Sequence, residues 1–324
     1  MRKLILLIFF APITILGQSI DVLFIGNSYT YSNNMPQMVS DIALSLGDTL
    51  DFESSTPGGA TFNSHSTNTT TLNKISQKPW DYIVLQAQSQ EPSFPPSQVA
   101  NDVYPYAQVL IDSIASNSSC TEPIFFMTWG RKYGDQQNCP FYPPICTYTG
   151  MQQRLRESYL DMAFLHNATC SPVGMSWKES ITQDSTLNLF SPDNSHPSIY
   201  GSYLAACTFY ATIFKKTAVG SSYIPNGLDT STALFLQNIA WIQDIKNRMG
   251  TLTLYVNSRP VLKVNDFEEI IPRRLNEVPE KQLGVPYSMS FGGGSQGLYE
   301  SLTLSGTPGD AAVLAGQTFD HTNV

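Results

Sequence analysis

Positive charge is scarce in this sequence. Its 324 residues hold 18 Lys and Arg against 26 Asp and Glu, a net charge of −8, and the basic residues form no cluster. Phosphate backbones are bound by concentrated positive charge, so a nucleic-acid partner is excluded as a class. Long apolar runs are also lacking. The longest, Leu4 to Leu16, falls short of the about 20 residues that a membrane-spanning helix needs, and Pro12 and Thr14 interrupt it. No C-x-x-C pair occurs, and His65, His166, His196 and His321 show no ligand spacing, so no metal and no other cofactor is expected. Self-similarity at a period of about 20–50 residues, the mark of repeat architectures, is missing too.

Apolar and aromatic residues are plentiful. A hydrophobic fraction of 42%, with 17 Phe, 16 Tyr and 4 Trp, is enough to bury a sizeable core and excludes disorder over most of the length. The N-terminus reads Met1-Arg2-Lys3, then the short apolar run, then Gly17-Gln18, which is the pattern of an export signal over 1–17. The expected location is therefore secreted or periplasmic, and without a cysteine after the run a lipid anchor is disfavoured. An exported chain meets an oxidising compartment in which disulfides persist. Cys139 and Cys146 flank the proline-rich loop 140–144 and are expected to pair, Cys120 with Cys170 is the next candidate, and Cys207 lies in an apolar helical pattern as a core thiol.

From Ile20 onward, short β-rich runs alternate with longer helical segments, the pattern of parallel strands joined by crossover helices. Strands are expected at Asp21–Ile25, about Leu50–Ser54, Tyr82–Gln86, Ile124–Thr128 and near Val173. Helices are expected at Met35–Leu46, Ala100–Ser116, Gly150–Asn167, Ile199–Lys215 and Ser231–Met249. The fold class is α/β, a three-layer α/β/α sandwich around a central parallel sheet of about five strands, over 18–250. Residues 251–324 read as a separate β-leaning appendage, with a hairpin of Thr251–Val256 and Val261–Asn265 and an interruption at Gly292-Gly293-Gly294. In such sheets ligands bind beyond the carboxyl ends of the strands, so chemistry is expected just after Ile25, Leu85 and Thr128.

Four blocks carry it. Phe24-Ile25-Gly26-Asn27-Ser28-Tyr29-Thr30 runs from a strand through a glycine turn to an exposed serine. Ser28 is a weak nucleophile until a base takes its proton; otherwise Asn27, Ser28 or Thr30 caps a turn or helix. Ser191-Pro192-Asp193-Asn194-Ser195-His196-Pro197 supplies an Asp and a His three apart, in which the carboxylate orients the imidazole and stabilises its protonated form. The plainer alternative is that Asp193 or Ser195 caps the following helix. Pro57-Gly58-Gly59-Ala60-Thr61 follows the second strand, where glycine lets a backbone N–H approach a ligand, or simply makes a turn. The segment ending Gln86-Ala87-Gln88-Ser89-Gln90 follows the third, where a side-chain amide donates hydrogen bonds, or forms a polar edge.

In this chain order the four blocks resemble the SGNH (GDSL-like) hydrolase superfamily over about residues 20–215, on the branch whose first block reads Gly-Asn-Ser. The resemblance implies a Ser28, His196, Asp193 triad and an oxyanion hole of the Ser28 and Gly59 N–H groups. The family's G-x-N-D third block is absent, and Gln86 or Gln88 stands where its asparagine would donate. It implies an exported esterase without metal or cofactor, acting on an ester substrate, with an acylated carbohydrate expected. Trp129, with Tyr29, Tyr31, Phe62 and Tyr133, forms an expected aromatic wall for a sugar ring, and Arg131 or Asp135 meets its hydroxyls, although aromatics there also serve as packing. Small lipid or aryl esters are the alternative substrates, and a catalytically silent binding protein is the alternative function.

Overall fold

The central strands of the main sheet alternate apolar side chains onto two buried faces, as parallel strands covered on both sides must. They are β1 (Ser19–Ile25), β2 (Thr49–Ser55), β3 (Tyr82–Leu85), β4 (Glu122–Phe126) and β5 (Thr169–Ser171), all parallel, in the order β2-β1-β3-β4-β5. In β1, Val22 and Phe24 enter one core, while Leu23 and Ile25 enter the other. The helices in chain order are α1 (Ser28–Tyr31), α2 (Met35–Ser45), α3 (Phe62–Thr67), α4 (Thr69–Ile75), α5 (Pro96–Asp102), α6 (Tyr104–Asn117), α7 (Tyr148–Leu165), α8 (Val173–Gln183), α9 (Ile199–Phe214) and α10 (Thr230–Gly250). Helices α2, α8, α9 and α10 close the first core and α3 to α7 the second, which completes the three layers. Every residue of α9 from Gly201 to Phe214 is buried, as expected of a helix that is apolar all round.

The described residues of this computed structural model are 19–250 together with four short strands, β6 (Thr253–Val256), β7 (Arg259–Lys263), β8 (Tyr287–Met289) and β9 (Leu302–Leu304). β6 pairs with β7 and β8 with β9, both antiparallel. The expected hairpin is therefore found, with its second strand entering two residues earlier than read; the expected export signal over 1–17, His321 and the Gly292 to Gly294 interruption lie outside the described residues. Among the described residues no helix is long and apolar enough to cross a membrane.

Several boundaries differ from expectation. β4 ends at Phe126 and β5 lies at Thr169–Ser171, because Val173 opens α8, which its neighbour Pro172 had masked. The helix expected over Ala100–Ser116 is two helices, α5 and α6, breaking at Val103 just before Pro105, which cannot donate to a continuing helical ladder. Cys139 and Cys146 form a disulfide. Cys120 and Cys170 do not, since Cys120 is exposed while Cys170 is buried in the sheet; Cys207 is a buried thiol on α9, and burial pushes its pKa up.

Register places the site. Ile25 lies beside both Ser55 and Leu85, and Leu85 beside Phe125, so the segments leaving β1, β2, β3 and β4 emerge at one rim. With β1 between β2 and β3, the chain runs outward in opposite directions from β1 and β3, and the crevice between them is the topological switch point.

Candidate active site

At that switch point Gly26 makes the turn from β1 into α1. A Cβ on Gly26 would lie 2.5 Å from Thr30 Oγ1 and 2.6 Å from Gln86 Oε1, so any other residue would displace the two side chains that bond each other there. Asn27 then ties three segments together. Its N–H donates to Gln86 Oε1 (2.8 Å), its Nδ2 donates to the Ala60 carbonyl (2.9 Å), and its Oδ1 accepts from the Tyr29 N–H as the cap of α1. Ser28 follows as the first helical residue, half-buried, with its N–H in the turn where a helix leaves amides without intrahelical partners.

His196 reaches Ser28 from 168 residues further along the chain. Its Nε2 lies 2.8 Å from Ser28 Oγ, and its Nδ1 is hydrogen-bonded to Asp193 Oδ2. Asp193 Oδ1 accepts from the N–H groups of Ser195 (3.0 Å) and His196 (2.9 Å). Partial burial alone would raise the Asp193 pKa, but the bonds from the imidazole and the two amides outweigh it and hold the carboxyl below the usual range. Asp193 is thus ionised at neutral pH. Neither Asp193 nor Ser195 caps α9, because Ser198 does. The 191–197 loop is irregular, and Phe190 and Pro197 pinch it shut through a bridge.

The second block forms a turn in which the Ala60 N–H donates to the Pro57 carbonyl, with Gly59 at φ 69°, a left-handed conformation that favours glycine. The loop is exposed at Gly59 and held beside Ser28 through Asn27. The two glutamines of the third block have different surroundings. Gln86 is fully buried, its Oε1 accepting from Asn27 N–H and Thr30 Oγ1 (2.9 Å) and its Nε2 donating to the Ala87 carbonyl. Gln88 is half-buried; its Oε1 caps the Gln90 and Glu91 amides, and its Nε2 makes only a long bond of 3.4 Å to Gln90 Oε1.

The expected aromatic wall is not assembled from the residues named for it. Trp129, Phe62 and Tyr29 are buried, at 0%, 0% and 3% exposure, so none offers a ring face to a substrate. Trp129 stacks between Tyr29 (4.6 Å) and Trp177 (4.0 Å). Asp135 is also fully buried, accepting from Gln90 Nε2 and Asn138 Nδ2 (2.7 Å each) and paired with Arg131 at 3.5 Å. Tyr31 and Tyr133 remain exposed, and Arg131 is half-buried, close enough for its charge to act on the Tyr29 hydroxyl. Among the described residues no group of three or more His, Cys, Asp or Glu is placed to hold a metal.

His65 matches no motif in the sequence, yet it braces the turn that leads into Ser28. It is fully buried on α3, with Nε2 2.8 Å from the Gly26 carbonyl and Nδ1 2.9 Å from Thr71 Oγ1. The carbonyl only accepts, so Nε2 carries a proton, and burial, which disfavours a charged ring, leaves Nδ1 to accept from the Thr71 hydroxyl. Burial lowers its pKa, partly offset by the bond to Gly26. The unfolded chain therefore takes up a proton near the ordinary value of 6.5 that the folded protein resists, and stability falls as pH drops below it. Thermal unfolding followed from about pH 7.5 to about 5 is expected to show a smaller decline in Tm for His65→Gln than for the wild type. Equal declines would remove His65 as a source of acid sensitivity.

No protein-family model and no curated protein matches the sequence. Solved structures do. A DUF4886 family protein from Bacteroides uniformis superposes with a TM-score of 0.60 at 18% identity, over 70% of this chain and 95% of its own. A protein described as "a putative SGNH hydrolase" from Slackia heliotrinireducens superposes with a TM-score of 0.50 at 22% identity, over 60% of this chain and 100% of its own. Both structures share the fold of this chain. A point mutant of an acetyl-xylooligosaccharide esterase from Geobacillus is also similar, with a TM-score of 0.45 and 15% identity over 65% of this chain and 99% of its own.

Proposed function

We propose that this chain is an exported serine esterase of the Gly-Asn-Ser branch, removing O-acyl groups, chiefly acetyl, from carbohydrate. One observation carries the reading: a serine hydroxyl at the sheet's switch point, 2.8 Å from an imidazole whose other nitrogen is held by an ionised carboxylate. In the proposed reaction Ser28 Oγ attacks the ester carbonyl as its proton passes to His196 Nε2. The tetrahedral intermediate collapses, His196 gives that proton to the departing alcohol, and an acyl-Ser28 ester remains. Water then yields a proton to Nε2 and attacks the acyl carbon, and the proton returns to Ser28. The N–H groups of Ser28 and Gly59 face the developing oxyanion. Gln88 is the third donor we favour, because the amide of Gln86 already serves the Asn27 turn while that of Gln88 is held only by its 3.4 Å bond.

Exposure supports the substrate class. The side chains of His196 and Asp193 are 40% and 49% exposed, an open rim suited to an ester on a hydrated alcohol. A long acyl chain instead needs a deep apolar cleft. Tyr31 leaves α1 just beyond Ser28 and Tyr133 leaves the loop bonded to the Asn194 carbonyl, and both present exposed rings on which a sugar can stack. The test measures acetate released from an acetylated polysaccharide beside p-nitrophenol from short-chain and long-chain esters. Turnover of the acetyl substrates is expected, with the long-chain ester slower by about tenfold or more. Preference for the long chain would overturn the carbohydrate assignment, and no turnover of any ester by the folded protein would overturn the esterase.

A further inference from the structure

Two chemically different cross-links join the nucleophile turn to the histidine loop, side by side. Ser28 bonds His196, and its neighbour Tyr29 bonds His196's neighbour Ser195, with Tyr29 Oη 2.7 Å from Ser195 Oγ. Ser195 has every polar group engaged: its N–H donates to Asp193, its carbonyl accepts from Trp129 Nε1 (3.0 Å), and its hydroxyl meets Tyr29. The Tyr29 ring is itself fixed, stacked on Trp129 with an interplanar angle of 3° and set edge-on to the His196 ring at 5.4 Å. The loop carrying Asp193 and His196 has no helical or strand ladder of its own, and Asn194 within it sits at φ 60°. From within, the Ser191 N–H donates to the His196 carbonyl (2.8 Å) and closes the loop; from outside it is placed by Tyr29, by Trp129, by Asn33 Nδ2, which donates to the Pro197 carbonyl (3.1 Å), and by the Lys132 N–H, which donates to the Asn194 carbonyl (2.9 Å).

We propose that Tyr29 is a positioning residue for the deacylation half of the reaction. The proposal rests on the esterase reading above. In the free protein both cross-links are present. Once acyl-Ser28 forms, Oγ is an ester oxygen that has lost its proton to the leaving alcohol, and the Ser28–His196 bond goes with it. The Tyr29–Ser195 bond does not depend on the acyl group and continues to hold His196 Nε2 over the site where water must give up its proton. Burial keeps the Tyr29 phenol protonated, so the bond persists across neutral pH. A one-ångström drift of a catalytic base suffices to slow a step many-fold, and only deacylation lacks the first cross-link to prevent it.

The test uses Tyr29→Phe, which keeps the ring on Trp129 and deletes only the hydroxyl, beside Ser195→Ala and the double variant. Acylation is read by the rate at which a fluorophosphonate labels Ser28, and deacylation by the steady-state rate and burst with p-nitrophenyl acetate. Labelling by Tyr29→Phe is expected within about threefold of the wild type, with deacylation slowed about tenfold, so that a burst of p-nitrophenol appears. Ser195→Ala is expected to match it, and the double variant to be no worse than either single one. Equal slowing of both steps, or additive losses in the double variant, would overturn the positioning role in favour of general loosening. A wild type that fluorophosphonate leaves unlabelled would instead overturn the triad, and the proposal with it.

Discussion

Ser28→Ala is expected to lower ester hydrolysis by at least about a thousandfold, the scale of losing a triad nucleophile. The loss should come almost entirely from chemistry, because little of the fold depends on the hydroxyl oxygen. Asn27 still caps α1 and still bonds Ala60, Gln86 still brackets the turn, and Gly26 is unaffected. His196 loses a partner but is 40% exposed, so water takes the vacated place and no buried polar atom is stranded. The variant's Tm should therefore stay within about 2 °C of the wild type, as for surface substitutions that leave packing intact. Rates with an acetylated polysaccharide and p-nitrophenyl acetate, with circular dichroism of both proteins, make the check. A folded variant retaining a tenth of wild-type activity would mean that Ser28 does not form the acyl-enzyme.

The architecture was legible because its signals are local. The alternation of Val22 and Phe24 against Leu23 and Ile25, bounded by Gly26, announces a strand buried on both faces, and order along the chain announces crossovers. Ser28, Asp193 and His196 were legible through the order of four blocks that resembles a known superfamily, since neither the serine turn nor the Asp-x-x-His spacing is specific alone, and the structure brings those three side chains together. What was not legible is which polar groups near a strand end face the solvent and which face the backbone. Gln86 and Gln88 are two residues apart and chemically identical in sequence, yet Gln86 is consumed by the Asn27 turn, which only the parallel register of β1 with β3 creates. Tyr29 and Trp129 invite a carbohydrate reading for the same reason. Their rings look available until α8 supplies Trp177 as a third plate of the stack, and α8 was hidden behind Pro172. His65 left no trace in sequence because its partner is a main-chain carbonyl 39 residues away.

Asp193→Asn separates orientation from structure. The asparagine Oδ1 can still accept the N–H groups of Ser195 and His196, so the loop should keep its shape. Its Nδ2, however, is a donor facing His196 Nδ1, which must then accept, and the ring proton moves to Nε2. Nε2 would then point a hydrogen at Ser28 Oγ and could not take one from it. In a buried triad this swap is worth about ten-thousandfold. Here the carboxylate is 49% exposed, and water can screen and partly replace it, so a loss of about a hundredfold to a thousandfold is expected. Asp193→Ala makes the contrast, because it removes the acceptor of two amides together with the charge. It should lower activity and also, through the lost loop-anchoring hydrogen bonds, the unfolding free energy by about 1–2 kcal/mol, read as a lower Tm, whereas Asp193→Asn should lower activity alone. Nitrogen NMR of the His196 ring reads the tautomer directly. The wild type should carry its neutral-form proton on Nδ1 and Asp193→Asn on Nε2, and a variant that kept Nδ1 protonated yet lost activity would show that Asp193 acts through its charge and not through the tautomer it enforces.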